Sequence, residues 1–403
     1  MTQQPKRTWF GPATLVAAAF IGPGTVVTAS LAGANFGYAL LWALVFSVLA
    51  TMILQEMAAR LGVVTQQGLG EAIHQHIASP MLRWGAIALI LFAVVIGNSV
   101  YQGGNLMGAT LGIAGVTGTP QPWMPIVIGG IAIVLLWSGN YHKLERVLIA
   151  LVMLMSGAFI ATLILSQPDW GAFFSGLLVP SLPAGSVLTV VALIGTTVVP
   201  YNLFLHAASA AKKWSGDAAL ADARRDLVVS IPLGGLISIA IVSTAASAFF
   251  GHAVQLEGAR DLSEALRPLA GDSATWLMAI GLFAAGLSSS LTAPLAAAYA
   301  LSGLLGYGAN LRSLPFRLTW IGVISVGMLI ASLKLKPVEV IWLAQVANGL
   351  LLPVMALFLL WACNHAMLGA KRNTGWQNLM AGVVVLIATG LGVRSIGAAL
   401  AFW

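Results

Sequence analysis

Two apolar segments of this chain are interrupted by proline: residues 18–30 read AAFIGPGTVVTAS, and residues 194–206 read IGTTVVPYNLFLH. A proline inside a helical pattern removes a backbone hydrogen bond and interrupts the helix. In lipid, the backbone groups that this frees are tolerated only where they face protein or a water-filled cavity. Two interrupted spans at corresponding positions of two halves are typical of a secondary transporter, whose binding site they form. The sequence therefore predicts a central site at Gly22-Pro23-Gly24-Thr25 and Val199-Pro200-Tyr201-Asn202.

The composition requires a membrane environment. Of the 403 residues, 59% are hydrophobic and only 8% are charged, whereas a soluble domain has about 25% charged residues. The length fits about eleven spans of roughly 20 residues. In chain order we place them near residues 12–36, 39–61, 83–113, 123–139, 146–167, 185–211, 227–251, 273–305, 316–333, 338–362 and 376–400. We predict an all-α integral membrane protein in which residues 1–403 form a single transmembrane transporter domain. Cys363 is the only cysteine, so no intrachain disulfide and no cysteine metal cluster are expected.

The two breaks divide the spans into two repeats. Each break lies in the first span of a block of five, so the blocks are expected to have opposite orientations in the membrane. Helices one and six are then broken at the membrane midplane. We place repeat one at about residues 12–167, repeat two at about 185–362 and an extra helix at about 376–400.

A simpler alternative is that Pro23 and Pro200 only kink two continuous helices. Proline and glycine are common in membrane helices, so spacing alone leaves this alternative open. The flanking Gly22 and Gly24 weaken it, because a Gly-Pro-Gly sequence does not hold an ordinary helical turn.

The net charge of +7 indicates membrane orientation and not nucleic acid binding. With the N-terminus in the cytoplasm and the C-terminus outside, most basic residues fall on the cytoplasmic side, as the positive-inside rule requires. Examples are Lys6, Arg7, Arg60 and Arg224. We expect a protein of the bacterial cytoplasmic (inner) membrane that contacts anionic lipid on its cytoplasmic side. The alternating charges of residues 212–226 predict a short surface helix.

Several segments resemble the natural-resistance-associated macrophage protein (Nramp) family. They lie, in family order and spacing, at residues 10–12, 22–25, 34–42, 59–65, 199–206, 286–292 and 344–353. The resemblance implies a broken-helix, inverted-repeat fold that works by alternating access. Typical members carry manganese or iron together with protons. Their first break reads Asp-Pro-Gly-Asn, and their sixth span reads Met-Pro-His-Asn.

This sequence departs from the family at the metal-binding positions of both breaks. Gly22 stands in place of the Asp and Thr25 in place of the Asn. Val199 replaces the Met, a soft ligand that selects transition metals, and Tyr201 replaces the first His. We therefore do not expect a conventional manganese or iron carrier.

Spans three, six and ten carry further polar residues at family positions. Gln102 and Asn105 align with the acidic proton-path residues of span three, and neither can gain or lose a proton in the working range. His206 matches the second His of span six, and Gln345 matches a polar residue of span ten. Candidates for proton or ion coupling are His206, Ser289, Ser290 and Thr292.

The predicted substrate site is polar and uncharged. Its proposed lining is Gly22, Pro23, Gly24, Thr25, Thr28, Val199, Pro200, Tyr201, Asn202, Gln102, Asn105 and Gln345. The N–H groups near Thr25 and Asn202 are expected to be unopposed at helix N-termini, where an anion is favoured. These features predict transport of a small inorganic anion such as bicarbonate.

Two alternatives stay open at this point. The first is hydrated magnesium, because a roomy site of hydroxyls and carbonyls can hold its water shell. The second is a membrane sensor that kept the fold and lost transport. An enzyme is not expected, since we find no nucleophile–base pair and no phosphate loop, and no cofactor is expected either. We assign no metal site from the sequence.

Overall fold

All regular secondary structure in the described residues is helical. The computed structural model describes residues 12, 21–139, 142–252, 255–307, 310–333 and 335–399. The helices are α1 (Pro23–Phe36), α2 (Leu41–Thr65), α3 (Leu69–His76), α4 (Pro80–Ile90), α5 (Gly97–Thr117), α6 (Met124–Ser138), α7 (His142–Leu165), α8 (Trp170–Leu178), α9 (Val187–Thr197), α10 (Pro200–Lys213), α11 (Asp217–Phe249), α12 (Ala259–Ser263), α13 (Arg267–Ala270), α14 (Ala274–Leu305), α15 (Leu314–Ser332), α16 (Pro337–Asn364) and α17 (Gly375–Ala399). A π-helical stretch, Leu91–Ile96, joins α4 to α5, and short 3₁₀ turns lie at Glu264–Leu266, Gly271–Ser273 and Ala366–Lys371.

Nine segments of the described chain are long and apolar enough to cross a membrane. The shorter apolar helix α6 adds a further segment of 15 residues. Helix α1 supplies the second half of the first span, while residues 13–20, Lys6 and Arg7 lie outside the described residues. The prediction of an all-helical membrane protein is confirmed.

Proline interrupts the helices at only some of its positions. Pro232, Pro294 and Pro353 lie inside continuous helices. At the two predicted breaks the preceding residue is instead extended, with φ −102° and ψ −177° at Gly22 and φ −78° and ψ 120° at Val199. A helix therefore starts anew after each of these residues, and the kinked-helix alternative is excluded for the sixth span, which is described on both sides of its break.

The first half of span six crosses span ten at very close range. Gly195 of α9 lies against the backbone carbonyl of Gln345 in α16. One turn further along α16, Gly349 lies against the backbone carbonyl of Val191 in α9. A Cβ atom at either glycine would overlap backbone, so small residues permit this approach, as is common between membrane helices.

Span six is also the most enclosed of the nine segments. Of its most apolar 18-residue window, 89% is buried, against 28% for the segment Gly375–Gly397. On the other side of the break, the Ala207 carbonyl of α10 touches Gly62 of α2. The broken helix therefore sits at the centre of the bundle, and α17 lies at its periphery.

The charged stretch before span seven is not a separate surface helix, so that prediction is wrong. Residues 217–226 form the first turns of α11, which runs for 33 residues. Gly216, with φ 82°, ends the preceding turn in a conformation that favours glycine. Pro232 and the pair Gly234-Gly235 lie within this helix without ending it, so the charged turns continue directly into the membrane span.

At the predicted cytoplasmic end, a buried arginine ties span two to the last helix. Arg60 is 2% exposed and pairs with Glu56 at 3.1 Å, the (i, i+4) pair that the sequence spacing suggests. Its guanidinium also donates to the Lys371 carbonyl at 2.8 Å and to Oδ1 of Asn373 at 2.6 Å. Glu56 additionally accepts from Arg224 of α11 at 2.7 Å. Each of these charges thus has an ion-pair partner, while Nε of Arg60 is buried without a hydrogen bond.

Candidate functional site

The first break brings spans one and three together. Gly22 is extended, Pro23 is the first helical residue, and the Thr25 and Val26 N–H groups donate to the Gly22 carbonyl at 3.1 and 3.3 Å. Pro23 packs against Gly108 of α5, where a Cβ atom would overlap its ring. The missing side chain of Gly108 thus makes room for the Pro23 ring against span three.

The second break has the same construction. Helix α9 ends at Thr197, Val199 is extended and fully buried, and α10 starts at Pro200. The Asn202 N–H donates to the Val199 carbonyl at 3.0 Å. Each break therefore consists of an extended residue, a proline and a tight first turn.

This construction corrects one expectation about backbone donors. The N–H groups of Thr25 and Asn202 are not left open to a ligand, because each is already hydrogen-bonded within its own first turn. The physical reason is that a proline at the first helical position lets the next turn close in 3₁₀ fashion onto the capping carbonyl. An anion at this site would be bound mainly by side chains.

A pair of hydroxyls joins the two breaks. Oγ1 of Thr25 in α1 lies 2.8 Å from Oγ1 of Thr196 in α9, and both residues are fully buried. Thr196 was missed by the sequence analysis. Its position four residues before Pro200 was the available signal, since Pro200 has no N–H to offer to the Thr196 carbonyl.

Four predicted lining residues carry buried polar atoms without a hydrogen-bond partner. These atoms are Oγ1 of Thr28, the hydroxyl of Tyr201, both amide atoms of Asn202, and Oε1 of Gln345. The side-chain amide of Gln345 lies directly over Gly24, where a Cβ atom on residue 24 would overlap it. Nε2 of Gln345 donates to the Ile341 carbonyl at 3.3 Å. Buried polar groups almost always have hydrogen-bond partners, so such a set at two helix breaks is typical of a ligand or water site.

The aromatic residue of the second break contacts span three. The rings of Tyr201 and Tyr101 meet edge to face, with centroids 5.4 Å apart and an interplanar angle of 63°. Tyr201 is 2% exposed and directly follows Pro200. A buried phenol ring there fills space and leaves no imidazole to ligate a metal.

The two amides of span three face span eight. Nε2 of Gln102 donates to the Ser290 carbonyl at 3.3 Å, and Nδ2 of Asn105 donates to Oε1 of Gln102 at 3.2 Å. Pro294 lies four residues after Ser290 and has no N–H, so it leaves that carbonyl without its helical partner. Gln102 thus satisfies a carbonyl freed by proline, which a carboxylate at this position could not do.

The histidine of span six is held by span two. Nδ1 of His206 lies 2.6 Å from Oε1 of Gln55, a residue that the sequence analysis did not single out. Because an amide oxygen only accepts, Nδ1 donates the proton, and Nε2 is then a bare acceptor. Nε2 is buried without a partner.

The hydroxyls of span eight differ in their surroundings. Oγ1 of Thr292 donates back to the Ser288 and Ser289 carbonyls at 3.3 and 3.4 Å. Oγ of Ser290 is buried without a partner, and Ser289 is 2% exposed. Of these hydroxyls, that of Thr292 is engaged within its own helix, whereas that of Ser290 is buried without a partner.

The arrangement as a whole carries no formal charge at the breaks. Within the described residues, no group of three or more His, Cys, Asp or Glu side chains is placed to hold a metal ion. Cys363 is buried, and its thiol donates to the Met57 carbonyl at 3.4 Å. The groups at the breaks are hydroxyls, amides and one phenol, which can bind a ligand by hydrogen bonds or ion–dipole contacts.

Named proteins similar to this chain are metal transporters. The divalent metal cation transporter MntH of Yersinia pestis (strain Pestoides F) is 29% identical over 401 residues, which cover 96% of this chain and 94% of the relative. The protein of the same name from Klebsiella pneumoniae (strain 342) is 29% identical over 396 residues, covering 94% and 92% of the two chains.

Solved structures show the same architecture. A manganese transporter of Eremococcus coleocola, crystallised with an aromatic bis-isothiourea compound, superposes with a TM-score of 0.78 at 24% identity, covering 97% of this chain and 86% of that one. The inward-facing conformation of Mhp1 superposes with a TM-score of 0.57 at 14% identity, covering 98% and 92%. The predicted inverted-repeat membrane fold is confirmed. Since a family model described as natural resistance-associated macrophage protein-like matches residues 13–398, the chain belongs to that family.

Proposed function

We propose that this member of a secondary-transporter family carries a small inorganic anion by alternating access, and that bicarbonate is the first candidate. The observation that carries the proposal is the uncharged site between the two breaks. Gly22 stands where the family's Asp would be, and Val199 offers only an apolar side chain.

Electrostatics favours a monovalent ion at a neutral site. Moving an ion out of water costs free energy that grows with the square of its charge, so a dehydrated divalent ion costs about four times as much as a monovalent one of equal size. In the described residues no carboxylate lies at the breaks to offset that cost. Glu56, which belongs to a membrane-spanning helix, is already paired with Arg60 and Arg224.

The hydrogen-bonding groups match a ligand that both donates and accepts. Asn202 offers an unpartnered amide nitrogen and an unpartnered amide oxygen, and Thr28 offers a hydroxyl. Gln345 adds an amide oxygen that only accepts. Bicarbonate has two acceptor oxygens and one O–H donor, so it can satisfy this mixed set.

A second candidate is a hydrated divalent cation, magnesium first. The comparisons favour this candidate, because the similar named proteins are divalent metal cation transporters. The two unpartnered amide oxygens of Asn202 and Gln345 are hard ligands, which suit magnesium with part of its water shell retained. The argument against magnesium is that the described residues place no carboxylate at the breaks to offset its double charge.

The proposed setting is the bacterial cytoplasmic membrane, with the N-terminus in the cytoplasm. The distribution of basic residues supports this orientation, and anionic lipid is the expected partner of that face. His206 is the proposed coupling residue in span six, because Gln55 leaves its Nε2 available to accept a proton.

The test is ion flux into proteoliposomes that contain the purified protein, with the membrane potential clamped. Bicarbonate uptake is followed electrically at mildly alkaline pH, so that diffusion of carbon dioxide does not carry the signal. Magnesium and manganese uptake are followed with indicator dyes in the same vesicles. Protein-dependent bicarbonate current without divalent flux supports the proposal, and magnesium flux without bicarbonate current replaces it by the second candidate.

A further inference from the structure

We infer that Thr196 is a specificity-determining residue of the ion site, acting together with Thr25 as one hydroxyl pair between the two broken helices. This inference deepens the proposed function and rests on transport through that site. The pair is a direct side-chain link between the first and the second break, at 2.8 Å across 171 residues of sequence. We define these two side chains as the threonine bridge.

The bridge sits at the points where both helices lose their regular hydrogen bonds. Thr25 lies in the first turn after Pro23, and Thr196 lies in the last turn before the second break. Both side chains are fully buried, so water does not compete for them in this conformation. A hydrogen bond in such surroundings is electrostatically stronger than one at the surface.

Threonine also fixes where the hydroxyl points. Its β-branched side chain is stiff about χ1, so the hydroxyl position follows the backbone. The distance between the two hydroxyls therefore reports the separation of the two half-helices. An ion that enters between the breaks must either contact this pair or separate it, so the bridge influences which ions the site accepts.

The adjacent residue provides a matched control. Thr197 is 2% exposed, but its hydroxyl donates to the Leu193 carbonyl of its own helix at 3.1 Å. Thr196 and Thr197 thus share residue type, burial and helix, and only Thr196 reaches across to the other break. An effect specific to Thr196 cannot be assigned to a general loss of threonine from this turn.

The experiment compares uptake kinetics of the wild type with Thr196→Val, Thr196→Ser and Thr197→Val, using whichever of bicarbonate or magnesium the wild type carries. Thr196→Val keeps the shape and removes the hydroxyl, so we expect KM to rise about tenfold with a smaller change in Vmax. Thr196→Ser keeps the hydroxyl and should stay within about threefold of the wild-type KM. Thr197→Val should leave KM unchanged.

A double substitution tests whether the two hydroxyls act as a unit. If they do, Thr25→Val and Thr196→Val together raise KM no more than the more severe single change. The inference is overturned if Thr196→Val keeps the wild-type KM, if the serine and valine variants are equally impaired, or if the effects of Thr25→Val and Thr196→Val are independent. Because the assay uses the ion actually carried, a wrong assignment of bicarbonate does not affect this outcome.

A second test fixes the bridge covalently. In a Cys363→Ser background, which removes the only native cysteine, Thr25→Cys and Thr196→Cys replace the hydroxyl pair by two thiols. Oxidation should form a disulfide and stop transport, and a reductant should restore it. A cross-linked protein that still transports at the rate of its reduced form would contradict the inference, since the ion could not separate the pair.

Discussion

Substituting Gly195 by alanine tests the close crossing of spans six and ten. The new Cβ atom would overlap the Gln345 carbonyl and crowd the Gly349 N–H, and both are backbone atoms. Backbone cannot move aside as a flexible side chain can, so α16 must shift relative to α9 by about 1 Å. Overpacking of this kind costs about 1–3 kcal/mol.

The shift should appear in both stability and transport. For a protein of this length, a loss of 1–3 kcal/mol corresponds to a fall of roughly 1–4 °C in the apparent melting temperature. Because Gln345 belongs to the displaced segment, KM for the transported ion should rise as well. Melting in detergent by size-exclusion fluorescence and uptake into proteoliposomes measure the two effects.

The matched control is Gly157→Ala in α7. A Cβ atom at Gly157 meets nothing within 4 Å, so its melting temperature should stay within about 1 °C of the wild type. Gly349→Ala should repeat the defect of Gly195→Ala, because its Cβ atom would overlap the Val191 carbonyl. The reasoning is refuted if Gly195→Ala melts and transports like Gly157→Ala.

Three further predictions concern charge. Gly22→Asp adds a negative charge to the first break and should reduce bicarbonate uptake at least about tenfold, as Coulomb repulsion in a low-dielectric site requires; intact bicarbonate uptake would contradict the anion assignment. Gln102→Glu cannot donate to the Ser290 carbonyl when ionised and should destabilise the protein by about 1–3 kcal/mol; an unchanged melting temperature at alkaline pH would show that this hydrogen bond is dispensable. Glu71 lies in α3 outside the spans, and burial raises the pKa of its carboxyl above the ordinary 4.5, while backbone hydrogen bonds at Glu71 and Gly68 and, to a smaller extent, the charge of Lys212 oppose the shift. The folded protein favours the protonated carboxyl, so the stability that this group contributes is complete below pH 4.5 and is lost as the pH rises through the raised pKa. Glu71→Gln should therefore flatten the fall of the melting temperature over that pH range. An unaltered pH profile of the melting temperature would count against a buried carboxyl.

The sequence by itself determined the membrane environment and the helical class, and it identified Pro23 and Pro200 as the candidate breaks. Low charge and long apolar runs leave no other solvent for the chain. Gly22 and Gly24 beside Pro23 identified the first break. The repeat boundaries at about residues 12–167 and 185–362 remain predictions.

Only the tertiary structure decided what each proline does. Pro200 and Pro294 each remove the same kind of hydrogen bond, yet the helix breaks at the first and continues through the second. At Pro294, the freed Ser290 carbonyl is satisfied by Gln102 from another span. Local sequence cannot reveal such a donor, because it lies 188 residues away along the chain.

The threonine bridge has the same origin. Thr25 and Thr196 are two of several threonines near the breaks, and nothing in their local sequence pairs them. Their 2.8 Å contact exists because glycine-mediated crossings and the packing of both repeats bring the two helix ends together. The sequence thus located the site from its backbone breaks, whereas the partners of its side chains were fixed by packing between segments far apart in the chain.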